Sequence, residues 1–73
     1  MSDQKEERFI RLAENRTNKI LDMLNLLGNL SNTSNYTYTE KQVDSIFNAI
    51  KKEMDEQRKR FVIKQDTKKK FKL

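Results

Sequence analysis

The chain has 73 residues, of which 37% are charged, and its formal net charge at neutral pH is +5. It contains no cysteine and no histidine, which excludes disulfides and thiolate or imidazole metal sites. A chain this short forms one domain at most and buries only about 60% of the surface that it exposes when unfolded. The composition therefore predicts a small protein that needs apolar contacts from another molecule.

The first predicted helix begins near residue 4 and ends at Leu27. Asp3 fits the N-cap position and Glu6 the third helical position, which together form a variant of the capping box. Gly28, the only glycine, fits a left-handed position that closes the helix. At 100° per residue, the apolar side chains share one broad face. Its members are Phe9, Ile10, Leu12, Ala13, Ile20, Leu21, Met23, Leu24 and Leu27.

The segment from Gly28 to Thr39 is uncharged and rich in Asn, Ser and Thr. Such side chains bond their own backbone in turns, so the segment is interpreted as a connector. Leu30, Tyr36 and Tyr38 are its expected apolar anchors, because a loop of this length without apolar contacts is unusual. The alternating Tyr and Thr residues at its end are also typical of a short strand.

The second predicted helix begins at Glu40 and runs for about 22 residues. Thr39 and Gln42 form a capping box, and Tyr38 can pack on Val43 as a hydrophobic staple. The apolar residues of this helix form a narrow stripe close to a coiled-coil seam. They are Val43, Ile46, Phe47, Ile50, Met54 and Phe61.

These elements predict an all-α fold with two long antiparallel helices, a polar Asn/Ser/Thr connector and a basic C-terminal tail. Both helices are roughly 35 Å long at 1.5 Å per residue, which suits a helical hairpin. Residues 1–63 are the expected helical hairpin interaction domain, and residues 64–73 are the expected flexible tail.

The apolar face of the first helix is wider than one neighbouring helix covers, which predicts a partner-binding surface. Its candidate residues are Arg16, Ile20, Leu21, Leu24, Leu26, Leu27, Tyr36 and Tyr38. In the alternative interpretation the leucines pack against the connector of their own chain. Arg16 has two interpretations as well: it extends past the rim or pairs with Glu53 or Glu56, or it joins Thr17 in a polar patch that recognises the partner.

The basic residues concentrate at the C-terminus, where residues 58–73 contain eight Lys or Arg and one Asp. Cations neutralise phosphates and aromatic rings stack on bases, so this segment predicts nucleic-acid binding, either to single-stranded DNA or to a primer-template. The candidate residues are Arg58, Arg60, Lys64, Lys68, Lys69, Lys70 and Lys72. A purely solubilising tail is the alternative, and a membrane-surface role is less favoured because the apolar positions are few and broken.

No catalytic motif, phosphate loop or metal-ligand spacing occurs, so no enzyme activity, metal or cofactor is expected. The sequence shows no signal peptide and no apolar run of about 20 residues, which predicts a cytoplasmic protein without a membrane partner.

The stretches RLAENRTNKILDMLNLLGNLSN and NYTYTEKQVDSIFNAIKKEMDEQRKRF resemble a family of small proteins carried by bacterial mobile elements. The resemblance covers roughly residues 8 to 61. Within that family the chain is similar to the small proteins of staphylococcal cassette chromosome elements that partner an A-family DNA polymerase. The resemblance implies a non-catalytic accessory protein that docks on a larger DNA-processing enzyme. A homodimeric nucleic-acid-binding regulator and a small inhibitor of a host nucleic-acid enzyme are the alternatives.

Overall fold

The computed structural model describes residues 3–62 and contains two α-helices in that range. Helix α1 spans Asp3–Gly28 and helix α2 spans Glu40–Arg58. A 3₁₀ turn, Asn29–Ser31, follows α1 directly. No strand occurs within the described residues, so the predicted all-α class is confirmed and the alternative of a strand in the Tyr-Thr segment is wrong.

The first unit of the chain, Met1–Thr37, consists of α1 and the turns that follow it. Gly28 has φ −62° and ψ −25°, which is a right-handed helical conformation. The predicted left-handed position at Gly28 is therefore wrong. The backbone instead tightens into the 3₁₀ turn, where the amide of Asn32 donates to the carbonyl of Asn29 at 3.4 Å. Such i→i+3 bonds are a common way to satisfy the last carbonyls of a helix.

Asn32 organises the turn after the 3₁₀ segment. Its carbonyl accepts from the amides of Asn35 and Tyr36 at 3.1 and 3.0 Å, and its side-chain Oδ1 accepts from the amide of Ser34 at 2.9 Å. An Asn side chain that bonds the backbone two residues later favours a turn over continued helix. The polar side chain at this position thus helps to end the helical segment.

The second unit, Tyr38–Leu73, begins with the capping box of α2. The amide of Gln42 donates to Thr39 Oγ1 at 3.1 Å, and the amide of Thr39 donates to Gln42 Oε1 at 2.9 Å. Thr39 itself is extended, with φ −109° and ψ 160°. The predicted capping box and the start of the second helix at Glu40 are both confirmed.

Helix α2 ends at Arg58, about three residues before the predicted end. The amides of Arg60 and Phe61 donate to the carbonyls three residues earlier, at 3.1 and 3.2 Å. These short-range bonds replace the α-helical pattern, so the chain leaves the helix in a tighter turn.

No side chain among residues 4–62 is buried. The best-covered residues are half-buried and lie on the apolar sides of the two helices: Leu12, Ala13, Leu24, Leu27, Val43 and Ile50. Isolated helices in water depend on caps and intrinsic propensity, because packing supplies most helix stability in ordinary proteins. Caps and intrinsic propensity therefore contribute to the stability of the helix within each unit.

Replacing Gly28 tests the right-handed end of α1. A Cβ at this position meets no atom within 4 Å, and Ala is more favourable than Gly in a helix by about 1 kcal/mol. We expect Gly28→Ala to raise the helix content in far-UV circular dichroism and to stabilise the helix by about 1 kcal/mol. Asn25→Ala, one turn earlier, should give a smaller gain. A loss of helix content in Gly28→Ala would contradict the right-handed conformation.

Replacing Thr39 tests the capping box of α2. Loss of an N-cap hydroxyl costs about 1 kcal/mol, so Thr39→Ala should lower the midpoint of thermal unfolding followed by circular dichroism. Thr37→Ala removes the same atoms just outside the box and serves as the matched control. Equal midpoints for the two variants would show that the box does not stabilise α2.

Candidate functional site

The last turns of α1 carry an apolar surface that extends around more than half of the helix. Six of the eight residues from Ile20 to Leu27 are apolar, and their 100° spacing distributes them over an arc of about 220°. Asp22 is the only charged residue among them. We call this surface, residues 20–27, the apolar end of α1.

Solvent reaches most of the apolar end. Ile20, Leu21 and Leu26 are 57%, 55% and 58% exposed, whereas Leu24 and Leu27 are half-buried. The structure thus brings these five predicted partner-binding residues together on one helix segment. Exposure of this size at neighbouring positions is typical of a surface that another molecule covers.

Arg16 lies one turn before the apolar end and points from the same side of the helix. Its neighbours at three and four residues are Leu12, Ala13, Lys19 and Ile20, so no carboxylate on α1 is close enough in sequence to pair with it. Arg16 is exposed and makes no ion pair within residues 3–62. Its guanidinium is therefore available to a partner.

A shallow groove lies beside Arg16 on α1. It is lined by Ala13, Glu14, Thr17 and Asn18. The groove contains no buried polar side chain, so it offers contact surface rather than an enclosed site.

The two tyrosines of the predicted docking surface belong to different units. Tyr36 is half-exposed in the first unit, where its amide bonds Asn32. Tyr38 is in the second unit and lines a shallow groove together with Val43 and Ile46. This shared groove agrees with the predicted proximity of Tyr38 and Val43.

The apolar stripe of α2 contains one polar interruption, Gln57. Its Nε2 donates to Glu53 Oε2 at 2.8 Å, and its Oε1 accepts from Arg60 Nη1 at 2.8 Å. This chain of hydrogen bonds holds the amide along the helix. Arg60, a predicted nucleic-acid contact, is therefore engaged with Gln57.

The other predicted nucleic-acid residues divide between described and undescribed parts of the chain. Arg58 lies exposed in the last turn of α2. Lys64, Lys68, Lys69, Lys70 and Lys72 lie outside the described residues.

Within residues 3–62, no group of three or more acidic, histidine or cysteine side chains is arranged to hold a metal ion. In the same part of the chain, no helix has the length and apolar character required to cross a membrane.

The charged residues of α1 are separated by sign around the helix. Four cations lie within an arc of about 80° that overlaps one margin of the apolar face, and no carboxylate shares that arc. They are Lys5, Arg8, Arg16 and Lys19, which we call the basic edge. Four of the five carboxylates of α1 lie in a separate arc of about 100° towards the other margin of the apolar face: Asp3, Glu6, Glu7 and Glu14, which we call the acidic edge.

The basic edge was not predicted from the sequence. Helix α1 contains five basic and five acidic residues, so its net charge is zero and gives no sign of the edge. The signal that reveals it is the angular position of the basic residues compared with that of the acidic residues on a helical projection.

No protein-family model matches the sequence, and neither curated proteins nor solved structures yield a match. The resemblance to mobile-element proteins therefore stays a prediction.

Proposed function

We propose that this chain is a non-catalytic accessory protein of the cytoplasm that docks through the apolar end of α1 on a larger DNA-processing enzyme. The exposure of Leu21 and Leu26 on an arc of about 220° is the observation that carries this proposal. The identity of the enzyme as a DNA polymerase of a mobile element depends on the family resemblance alone. The accessory protein would also contribute nucleic-acid contact through its basic residues.

Burial by a partner would be energetically significant. Covering a large aliphatic side chain contributes about 1.5–3 kcal/mol, and the apolar end offers several that are more than half exposed. Such a cluster resembles the central anchors of protein–protein interfaces, where a few residues dominate the binding energy. Arg16 adds a cation at the border of the same surface, where a carboxylate of the partner could bind it.

Substitution of the leucines tests docking. Leu21→Gln combined with Leu26→Gln should weaken binding to the co-expressed A-family DNA polymerase of the same mobile element by at least 100-fold. Two lost aliphatic contacts account for about 3–6 kcal/mol. Isothermal titration calorimetry with purified proteins measures the change, after circular dichroism has shown that the helix content is retained.

Val62→Gln is the control for this test, since Val62 is 82% exposed and lies outside both helices. It should leave the affinity unchanged. Wild-type affinity in the double leucine variant would place the docking surface elsewhere.

The proposal includes the antiparallel hairpin, with residues 1–63 as the interaction domain and residues 64–73 as the basic tail. Support comes from the spacing of the apolar stripes. Positions 9, 13, 16, 20, 23 and 27 of the first helix are separated by 4, 3, 4, 3 and 4 residues. Positions 43, 47, 50, 54 and 57 of α2 repeat the first four of these separations, which are those of a heptad seam, and Phe61 continues the spacing three residues beyond the end of α2.

When the two series are aligned antiparallel, their residues pair in six proposed layers. The two residue numbers of each pair add to the same value. The layers are Phe9 with Phe61, Ala13 with Gln57, Arg16 with Met54, Ile20 with Ile50, Met23 with Phe47, and Leu27 with Val43. In this register both polar interruptions, Arg16 and Gln57, fall in neighbouring layers, and Glu53 is adjacent to the same layers. Polar residues placed together in a seam fix its register.

Paired cysteines test the hairpin, and the chain has no cysteine of its own to interfere. Ile20→Cys with Ile50→Cys should form an intramolecular disulfide under mild oxidation, because bridged cysteines need Cα atoms within about 7 Å. Non-reducing electrophoresis and mass spectrometry identify the product. Ile20→Cys with Phe61→Cys is the mismatched control and should stay reduced. A covalent dimer from the first variant would contradict a hairpin within one chain.

A further inference from the structure

The basic edge of α1 is the strongest described charged feature, and three of its four cations, Lys5, Arg8 and Lys19, are not part of the proposed docking surface. Lys5, Arg8, Arg16 and Lys19 are all exposed, and none forms an ion pair within residues 3–62. They are held on one continuous helix, so their relative positions are fixed before any ligand binds. A preordered set of cations loses less conformational entropy on binding than the same charges on a flexible segment.

The neighbours of these cations distinguish α1 from α2. Every Lys or Arg of α2 has a carboxylate three or four residues away, the spacing at which side chains meet on a helix. Lys5, Arg8 and Arg16 have none at those distances, and only Lys19 has one, in Asp22. The sequence of α2 thus places a carboxylate at pairing distance from each of its cations, whereas three of the four cations of the basic edge have none at that distance.

We propose that the basic edge of α1 binds the phosphodiester backbone of nucleic acid. This inference deepens the proposed function and rests on it, because it assigns part of the nucleic-acid contact to α1 rather than to the C-terminal residues. The edge extends from Lys5 to Lys19, a rise of about 21 Å along the helix axis. One strand of a duplex carries a phosphate about every 3.4 Å along its axis, so the edge can follow about six nucleotides.

An anionic membrane fits the charge pattern less well. A helix that lies in a membrane surface with its apolar face inward places both flanks of that face among the headgroups. One flank of α1 is the basic edge, but the other carries Asp3, Glu6, Glu7 and Glu14. Anionic lipid would repel this acidic edge, whereas a nucleic-acid strand contacts the basic edge alone.

A protein ligand also fits less well. Lysine is depleted at protein–protein interfaces, and half of the cations in the edge are lysines. A second copy could cover the basic edge with its acidic edge only if the two α1 helices were parallel. That arrangement leaves Lys19 without an opposite charge, because the acidic edge ends at Glu14, five residues earlier along the helix.

Charge neutralisation on one side of α1 tests the inference. The probe is a fluorescein-labelled 20-nucleotide single strand, with the duplex of the same sequence in parallel, and fluorescence anisotropy is measured between 25 and 300 mM NaCl. Arg8→Gln combined with Lys19→Gln should reduce the slope of log K against log salt by about 1.4 for the single strand, since each phosphate contact contributes about 0.7. At the lowest salt concentration this amounts to a loss of affinity of about tenfold or more.

The matched control is Arg11→Gln combined with Lys51→Gln, which removes the same net charge outside the edge. Arg11 lies outside the arc of the basic edge, four residues after Glu7 and three before Glu14. Lys51 has Asp55 four residues later. The control should change the slope by less than half as much. Arg8→Lys with Lys19→Arg keeps both charges and should retain wild-type binding. Circular dichroism of each variant checks that the helix content is unchanged.

Three results would overturn the inference. In the first, both double neutralisations reduce the slope equally, which shows a general effect of net charge. In the second, deletion of residues 64–73 from the wild-type chain abolishes nucleic-acid binding completely, so the edge binds nothing alone. In the third, vesicles of phosphatidylserine and phosphatidylcholine bind in an edge-dependent manner while the oligonucleotides do not.

The same variants separate this inference from the proposed function. Enzyme docking by the double variant of Arg8 and Lys19 should equal that of wild type, because neither residue is in the apolar end. If the chain binds the oligonucleotide and neutralisation of the basic edge does not change the affinity, the inference is wrong. The docking proposal is unaffected by that result. If the leucine variant loses enzyme binding but binds the oligonucleotide normally, the result supports docking and nucleic-acid binding at two separate surfaces.

Discussion

The apolar end of α1 is the constraint on which the proposed docking depends. One neighbouring helix covers a seam, but the side chains from Ile20 to Leu27 occupy an arc of about 220°. Even in the proposed hairpin, where Ile20 and Leu27 lie in the seam, Leu21 projects about 100° away from Ile20. A sequence that keeps large aliphatic residues on several sides of a helix requires contacts on several sides. The second helix and a docking partner together would supply them.

Local sequence signals predicted the parts of the fold that local chemistry determines. The reciprocal bonds between Thr39 and Gln42 need only residues three positions apart, so the capping box could be identified from the sequence alone. Gly28 was harder, because glycine is compatible with both helical hands. Residues after Gly28 account for its right-handed conformation. The 3₁₀ turn and the bonds of Asn32 satisfy backbone hydrogen-bonding groups there without a left-handed residue.

The candidate surfaces were predictable to different degrees for physical reasons. The apolar end follows from periodicity, and its use as a docking surface stays a prediction. The basic edge depends on the angular separation of charges whose sum over α1 is zero, so composition and segment charge both conceal it. The engagement of Arg60 with Gln57 could not be read from composition either, because it depends on side-chain rotamers in the last turn of α2.

The positions of the two proposed surfaces along α1 would allow both proposed ligands to bind at once. The basic edge is centred near residue 12 and the apolar end near residue 23, which separates their centres by about 17 Å. Arg16 is the one candidate residue common to docking and to the edge, and its long side chain can keep its aliphatic stem on the apolar side while its guanidinium reaches the rim. The acidic edge repels a phosphate backbone from the far flank of the apolar face. A nucleic-acid strand bound to α1 as proposed would thus be confined to one side of the helix, and an enzyme docked on the apolar end would hold that side in a fixed orientation.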